Sequence, residues 1–237
     1  MICLPFYTRF LLHYNSKRGK FEGKRAFLCD YDERIMDDKG LYIQLFSIHG
    51  LIRGTSPELG RDADTGGQVK YVLELARALA AREDVAQVDL VTRLIDDKTV
   101  DKEYSQVIEP LSDKARLVRI ACGGRHYIRK ELLWPHLQEF VDNTIRFIKD
   151  EKRVPDFFHG HYADGGMVAM ELAAAFDGPF IFTGHSMGRN KLAKLLDDGM
   201  NQTAINKQYH MYTRIQVEEE IIRHADQIIT STQQEVE

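Results

Sequence analysis

The stretch between residues 41 and 80 restricts the possible folds more than any other. An apolar run over 41–48 leads into the polar segment GRDADTGGQ and then into a helix-patterned stretch. Two adjacent glycines, Gly66 and Gly67, stand where that helix opens. Val69, Val72, Leu73, Ala76, Leu79 and Ala80 repeat with the 3.6-residue period, and Lys70, Glu74 and Arg77 fall on the opposite face. A strand, a glycine turn and a helix in that order leave backbone N–H groups unpaired at the helix start. They also set the positive end of the helix dipole at the mouth of a sheet, a corner suited to a phosphate or another anion. The competing explanation is a turn glycine needed for packing alone.

The alternation continues downstream. Strands are expected over 88–92, 117–121, 156–159, 179–183 and 227–231, with helices over 68–81, 132–149, 165–176 and 201–225. Strands separated by helices imply parallel crossovers, so the expected fold class is α/β, a Rossmann-like parallel sheet with helices on both faces. Residues 1–40 lack any period and read as a loosely packed N-terminal extension; 41–237 read as one lobe. In such a sheet, ligands bind beyond the carboxyl ends of the strands. Gly66 and Gly67 follow the first strand. His161, Tyr162 and Asp164 follow another, and His185, Ser186, Arg189 and Lys191 follow a third, with Arg214 on the helix beyond.

Composition removes several function classes. A net charge of −4 argues against bulk nucleic-acid binding, because nothing compensates phosphate repulsion globally. Apolar runs fall short of the ~20 residues that cross a bilayer. Cys3, Cys29 and Cys122 are scattered without C-x-x-C spacing, which fits reduced thiols in a cytoplasmic protein better than a disulfide frame or a zinc site.

Three motifs need weighing. Residues 184–188, GHSMG, match the G-x-S-x-G nucleophile elbow of α/β-hydrolases, between a strand and a helix as that motif requires. Its partner acid and histidine would have to come from Asp197, Asp198, His210 and His224, crowded into one loop–helix stretch. His159 and His161 in HGHYAD are read as facing opposite sides of a strand, which keeps them from chelating one ion. Arg125, Arg129 and Lys130 in GGRHYIRKE form a loop at a strand end, able to reach an anion or merely solvated. A dinucleotide site is disfavoured, because no G-x-G-x-x-G follows the first strand.

Together, LYIQLFSIHGLIRG, ELGRDADTGGQVKYVLELARALA, RKELLWPHLQEFVDNT, HGHYADGG, FTGHSMGRNKLAKLL and ADQIITSTQQE resemble the sucrose-phosphate synthases, retaining glycosyltransferases of the two-lobed GT-B fold. The resemblance covers about 41–237 and accounts for GHSMG as part of HSMGRNK. It implies the N-terminal half of a GT-B enzyme that moves glucose from UDP-glucose to fructose 6-phosphate with retention. A sucrose synthase-like transferase with another acceptor, such as free fructose, is the alternative. By motif, Gly66, Gly67 and Gln68 would lie against the donor diphosphate and the acceptor. Tyr162 would line the acceptor pocket, with His161 beside it. His185 and Ser186 would lie beside the reacting sugar, and His185 and Gly67 would carry the catalysis. Lys191 and Arg214 would hold the acceptor phosphate, helped by Arg125 and Lys130. The resemblance implies no required cofactor and no metal site, with UDP-glucose as donor substrate and magnesium at most a stimulant. The expected partners are a sugar phosphate, a nucleotide sugar and a C-terminal glycosyltransferase lobe, with neither nucleic acid nor membrane. Because the chain stops at Glu237, where the second lobe of that family should begin, it is expected to be inactive alone.

Overall fold

The computed structural model describes residues 40–230. Most of the expected N-terminal extension, together with Cys3, Cys29 and the end of the last expected strand, lies outside those residues. Seven strands form one sheet in the order β3-β4-β2-β1-β5-β6-β7. They are β1 (Leu41–Phe46), β2 (Val85–Arg93), β3 (Ile108–Pro110), β4 (Ala115–Ile120), β5 (Phe157–His161), β6 (Phe180–Thr183) and β7 (Gln227–Ile229). All neighbours are parallel except β3, which runs antiparallel to β4 at the edge. Sequence reasoning missed β3 because it is three residues long and ends in Pro110. That chemistry belongs on an edge, where a missing N–H breaks no ladder.

The helices are α1 (Gly67–Ala80), α2 (Leu137–Glu151), α3 (Tyr162–Phe176), α4 (Gly188–Asp197), α5 (Gln202–Tyr209) and α6 (Met211–His224). On one face of the sheet, Val69, Val72, Leu73, Ala76 and Leu79 of α1 pack on Ile43, Leu45, Val88, Leu90 and Leu117. On the other, Phe140 and Ile148 of α2 and Val168 and Leu172 of α3 cover Phe46, Val91, Val118 and Phe158. Each fully buried Val, Leu or Phe contributes on the order of 2 kcal/mol. The central strand β1 is buried along its whole length, the signature of a parallel sheet covered on both sides.

Three expected boundaries are corrected. The helix expected over 132–149 starts later, after two 3-10 turns, because Pro135 has no N–H to bond the carbonyl of Glu131 and continue an α-helix through it. The helix expected over 201–225 is two helices. His210 sits between them in the left-handed region (φ 48°), and Asn201 caps the first by accepting from Ala204 N at 2.8 Å. The helix expected from 165 begins at Tyr162, so Tyr162 and Asp164 occupy its first turn instead of a loop. That helix sits unusually close to the sheet. A Cβ at Gly160 would lie 2.5 Å from Gly166 Cα, and one at Gly165 would lie 2.4 Å from Phe46 O.

Candidate functional site

At the carboxyl ends of the strands, Lys130, Glu131, Trp134, Tyr162, Lys191, Tyr209 and Arg214 line one narrow cleft. Four of the residues singled out from sequence meet there. Tyr162 adopts left-handed backbone (φ 65°) at the junction of β5 and α3, and burial pushes its phenol well above the usual range. The Arg214 guanidinium lies 4.3 Å over the Tyr162 ring. Arg214 Nε donates to Glu218 Oε1 at 2.8 Å and Nη2 to Ser186 O at 2.5 Å. Glu218, whose carboxyl is pushed up by burial, also accepts from Gly188 N at 2.6 Å. One buried ion pair therefore fixes the start of α4 to α6.

Lys130 forms an ion pair with Asp64 and lies 3.4 Å from Glu131, while its backbone N–H donates to Asp64 Oδ2 at 3.0 Å. Burial raises the Asp64 carboxyl, but Lys130 outweighs it and the net shift is downward. Asp64 precedes the twin glycines, so this contact ties the glycine loop to the cleft wall. Lys191 Nζ sits 4.3 Å from the Tyr209 ring centroid. Burial, then Lys130 and Arg214, pull its ammonium below the usual value.

A histidine cluster adjoins this cleft. His161 Nδ1 and His185 Nε2 are 3.0 Å apart, and both rings meet Tyr71 edge-on, with centroids at 5.8 and 4.8 Å. Tyr71 lies one turn beyond Gly67, so the start of α1 is brought to the same place. His49 Nδ1 pairs with Asp164 Oδ2 at 2.7 Å, and its ring contacts Tyr162 at 4.8 Å. Burial, then the neighbouring His159 and His185, holds His161 well below the usual imidazole range; burial, then His49, holds His185 at about 4. Both rings are therefore neutral at pH 7.

His159 and His161 need a correction. Residues two apart on a strand share a face, and their rings lie 4.0 Å apart. Their nitrogens are directed elsewhere, His159 Nε2 to Thr183 Oγ1 at 2.8 Å and His161 Nδ1 to His185. Among the described residues, no group of three or more His, Cys, Asp or Glu is arranged to hold a metal ion.

Gly66 caps α1 without a side-chain hydrogen bond, no acid stands in the first turn, and a Cβ at Gly66 or Gly67 would meet open space. Packing against a neighbour therefore does not explain this glycine pair, and the helix start is left open in front. Gln68 Nε2 donates to Ser47 Oγ at 3.0 Å. Arg125 stands apart, with a side chain 82% exposed and paired with Asp96 at 3.2 Å. Arg189 likewise pairs with Glu219 outside the cleft. Ser186 is exposed, and the left-handed residue of GHSMG is His185 (φ 57°) instead of the serine that a nucleophile elbow would strain. Asp197 closes the far end of α4, and His224 is bonded to Glu220 O at the end of α6.

Sequence reasoning missed His49, Tyr71, Glu131, Trp134, Tyr209 and Glu218. A signal existed for three of them: His49 follows a strand end, Tyr71 is one turn beyond Gly67, and Glu218 is four residues from Arg214 on a helix. A larger groove of about 400 Å³ lies between α3 and α6, lined by Met167, Met170, Glu171, Val217, Glu219 and Glu220. Its carboxylates would repel a phosphate, so the smaller cationic cleft is the better candidate.

The family model described as "Sucrose synthase first GT-B domain" matches residues 39–237. Over 235 residues, 90% of this chain, the sequence is 46% identical to sucrose-phosphate synthase 4 of Arabidopsis thaliana. It is 41% identical to probable sucrose-phosphate synthase 5 of Oryza sativa subsp. japonica over 95% of the chain. The chain spans 22% and 26% of these two relatives. The solved sucrose-phosphate synthase of Thermosynechococcus elongatus superposes with a TM-score of 0.67 at 28% identity, over 83% of this chain and 43% of that one. The same sheet, the same motifs in the same order and these matches lead to one conclusion: the chain belongs to the sucrose synthase first GT-B domain family, with sucrose-phosphate synthases among its relatives.

Proposed function

We propose that this chain forms the acceptor-side lobe of a retaining glucosyltransferase that moves glucose from UDP-glucose to fructose 6-phosphate. The observation that carries the reading is the convergence of Lys130, Tyr162, Lys191 and Arg214 on one cleft beside neutral His185. Lys191 is disfavoured as a cation by burial and by two like charges, so a phosphate dianion placed there relieves the repulsion. Lys130 and Arg214 are already paired with carboxylates, which leaves Lys191 as the main phosphate ligand and makes Arg214 a clamp on the Ser186 turn. This cationic lining favours a phosphorylated acceptor over free fructose.

In the reaction, the bond from the anomeric carbon to the UDP oxygen breaks, and one to the acceptor hydroxyl forms on the same face. The acceptor proton passes to the departing phosphate oxygen. The uncapped start of α1 at Gly66 and Gly67 stabilises the charge growing on the diphosphate. His185, neutral and held by His161, orients a sugar hydroxyl without adding positive charge to an oxocarbenium-like ring. No resident cofactor or metal enters this scheme. The donor sugar is held jointly with a C-terminal lobe, the cellular site is the cytoplasm, and the 237 residues alone do not turn over.

Calorimetry of the chain with fructose 6-phosphate, fructose and inorganic phosphate tests the reading. Fructose 6-phosphate is expected to bind and fructose to bind far more weakly. Lys191→Met should weaken fructose 6-phosphate by roughly 10–100-fold, the worth of one charge-assisted hydrogen bond. Equal binding of fructose and its phosphate, or UDP release from UDP-glucose by the isolated chain, would contradict it.

A further inference from the structure

Two neutral imidazoles joined by a hydrogen bond need one N–H and one lone pair, so the pair of His161 Nδ1 and His185 Nε2 has two possible proton arrangements. Either His161 Nδ1–H donates to His185, or His185 Nε2–H donates to His161. The two are not equivalent, because Nε2 of His161 is buried without a hydrogen-bond partner and the residue itself is fully buried. A neutral imidazole carries a single proton. If His161 Nδ1 accepts, that proton sits on Nε2 as an orphaned donor, between His159, whose ring centroid is 4.0 Å away, and Tyr71 at 5.8 Å. If His161 Nδ1 donates, Nε2 is a bare nitrogen, the smaller group, and no unshared proton enters this packed cluster of rings. The second ring then follows from the first. With its Nε2 occupied as an acceptor, His185 must carry its own proton on Nδ1.

We propose that His161 is a positioning residue: it locks His185 in the Nδ1–H form and leaves that N–H as a fixed donor for a ligand beside the cleft. His161 itself reaches no ligand, since both edges of its ring are enclosed by protein. The left-handed backbone at His185 and the strand register serve the same end. His161 pairs with Thr183 across β5 and β6, two residues before His185, which sets the two rings edge to edge. Free imidazole side chains favour the opposite tautomer, so the arrangement is one the fold has to enforce.

Nitrogen-15 NMR of histidine-labelled protein at pH 7, without ligand, reads the tautomers directly. In the wild type, His185 Nδ1 is expected at the protonated position and Nε2 at the bare position. In His161→Phe, His185 is expected to relax to the Nε2–H form that dominates in solution. A purely structural role for His161 would lower the melting temperature without moving a proton between nitrogens. A wild-type His185 protonated on Nε2 overturns the proposal, and so does a His161→Phe protein whose His185 keeps its proton on Nδ1. If the Phe variant fails to fold, the wild-type spectrum alone decides. That the ligand is a sugar rests on the proposed function, which the calorimetry above tests separately.

Discussion

Two glycine pairs open two helices of this sheet, and they are there for opposite reasons. Gly66 and Gly67 start α1 with open space where side chains would stand, no side-chain cap and no acid in the first turn. Gly165 and Gly166 start α3 pressed against the sheet, where a Cβ would strike Phe46 O at 2.4 Å and Phe182 and Ile221 at 2.7 Å. The sequence writes both as GG near a strand end. One pair faces open space; the other lets α3 lie close enough to the sheet to hold Tyr162 at the cleft and Asp164 against His49. Glycine content near a strand end therefore does not by itself mark a ligand loop; what faces the missing Cβ does.

The largest effect is expected where the cleft is wired to the core. Arg214→Met leaves Glu218 buried without its cation and should cost about 3–5 kcal/mol. Thermal unfolding should then shift down by roughly 6–20 °C. If the shift is near zero, the ion pair does not anchor α6 to α4. Next, Gly165→Ala should cost about 3 kcal/mol by overpacking, read as a Tm lower by roughly 6–12 °C, because a backbone carbonyl cannot rotate away.

A pH effect of intermediate size separates the histidine cluster from the glycine loop. His159, His161 and His185 all have folded values depressed by burial, against 6.5 for the free side chain. Below about 6.5 the unfolded chain binds protons that the folded one does not. Their stabilising contribution is therefore complete above that pH and is lost as pH falls toward 4. Urea midpoints measured from pH 7.5 to 4.5 should fall across this window, and His185→Gln should flatten the slope. An unchanged slope would mean that His185 is not buried neutral. The smallest stability change belongs to the open pair: Gly66→Ala and Gly67→Ala should alter stability by no more than about 1 kcal/mol. Ligand binding should nevertheless suffer, as a Cβ intrudes on the helix start. Calorimetry with UDP in the presence of the second lobe checks this, and undiminished affinity would return the twin glycines to an ordinary turn.

Much of the architecture was legible. The alternation of apolar runs with 3.6-period stretches gave six of the seven strands and the helices α1, α2 and α3, because burial on both faces of a parallel sheet leaves a strong pattern in β1, β4, β5 and β6. Short edge β3 left no pattern, and the break at His210 could not be seen, since a left-handed non-glycine residue carries no compositional mark. At the site, Lys130, Lys191 and Arg214 could be chosen as types suited to a phosphate, and Tyr162 through the resemblance of its motif. Which of them is already neutralised could not. Arg214 looks like a free cation in sequence and is 3% exposed against Glu218 in the fold.

By itself the sequence determined the α/β class, the strand-end placement of the polar residues and the membership of a glycosyltransferase lineage, because these depend on local periodicity and on motif order along one chain. Only the tertiary structure decided that His161 and His185 share a hydrogen bond, that one glycine pair is open and the other closed, and that Lys191 stands among like charges. Each of those rests on distances between segments well separated along the chain. Such distances are set by sheet register and helix packing, which no single stretch of sequence encodes.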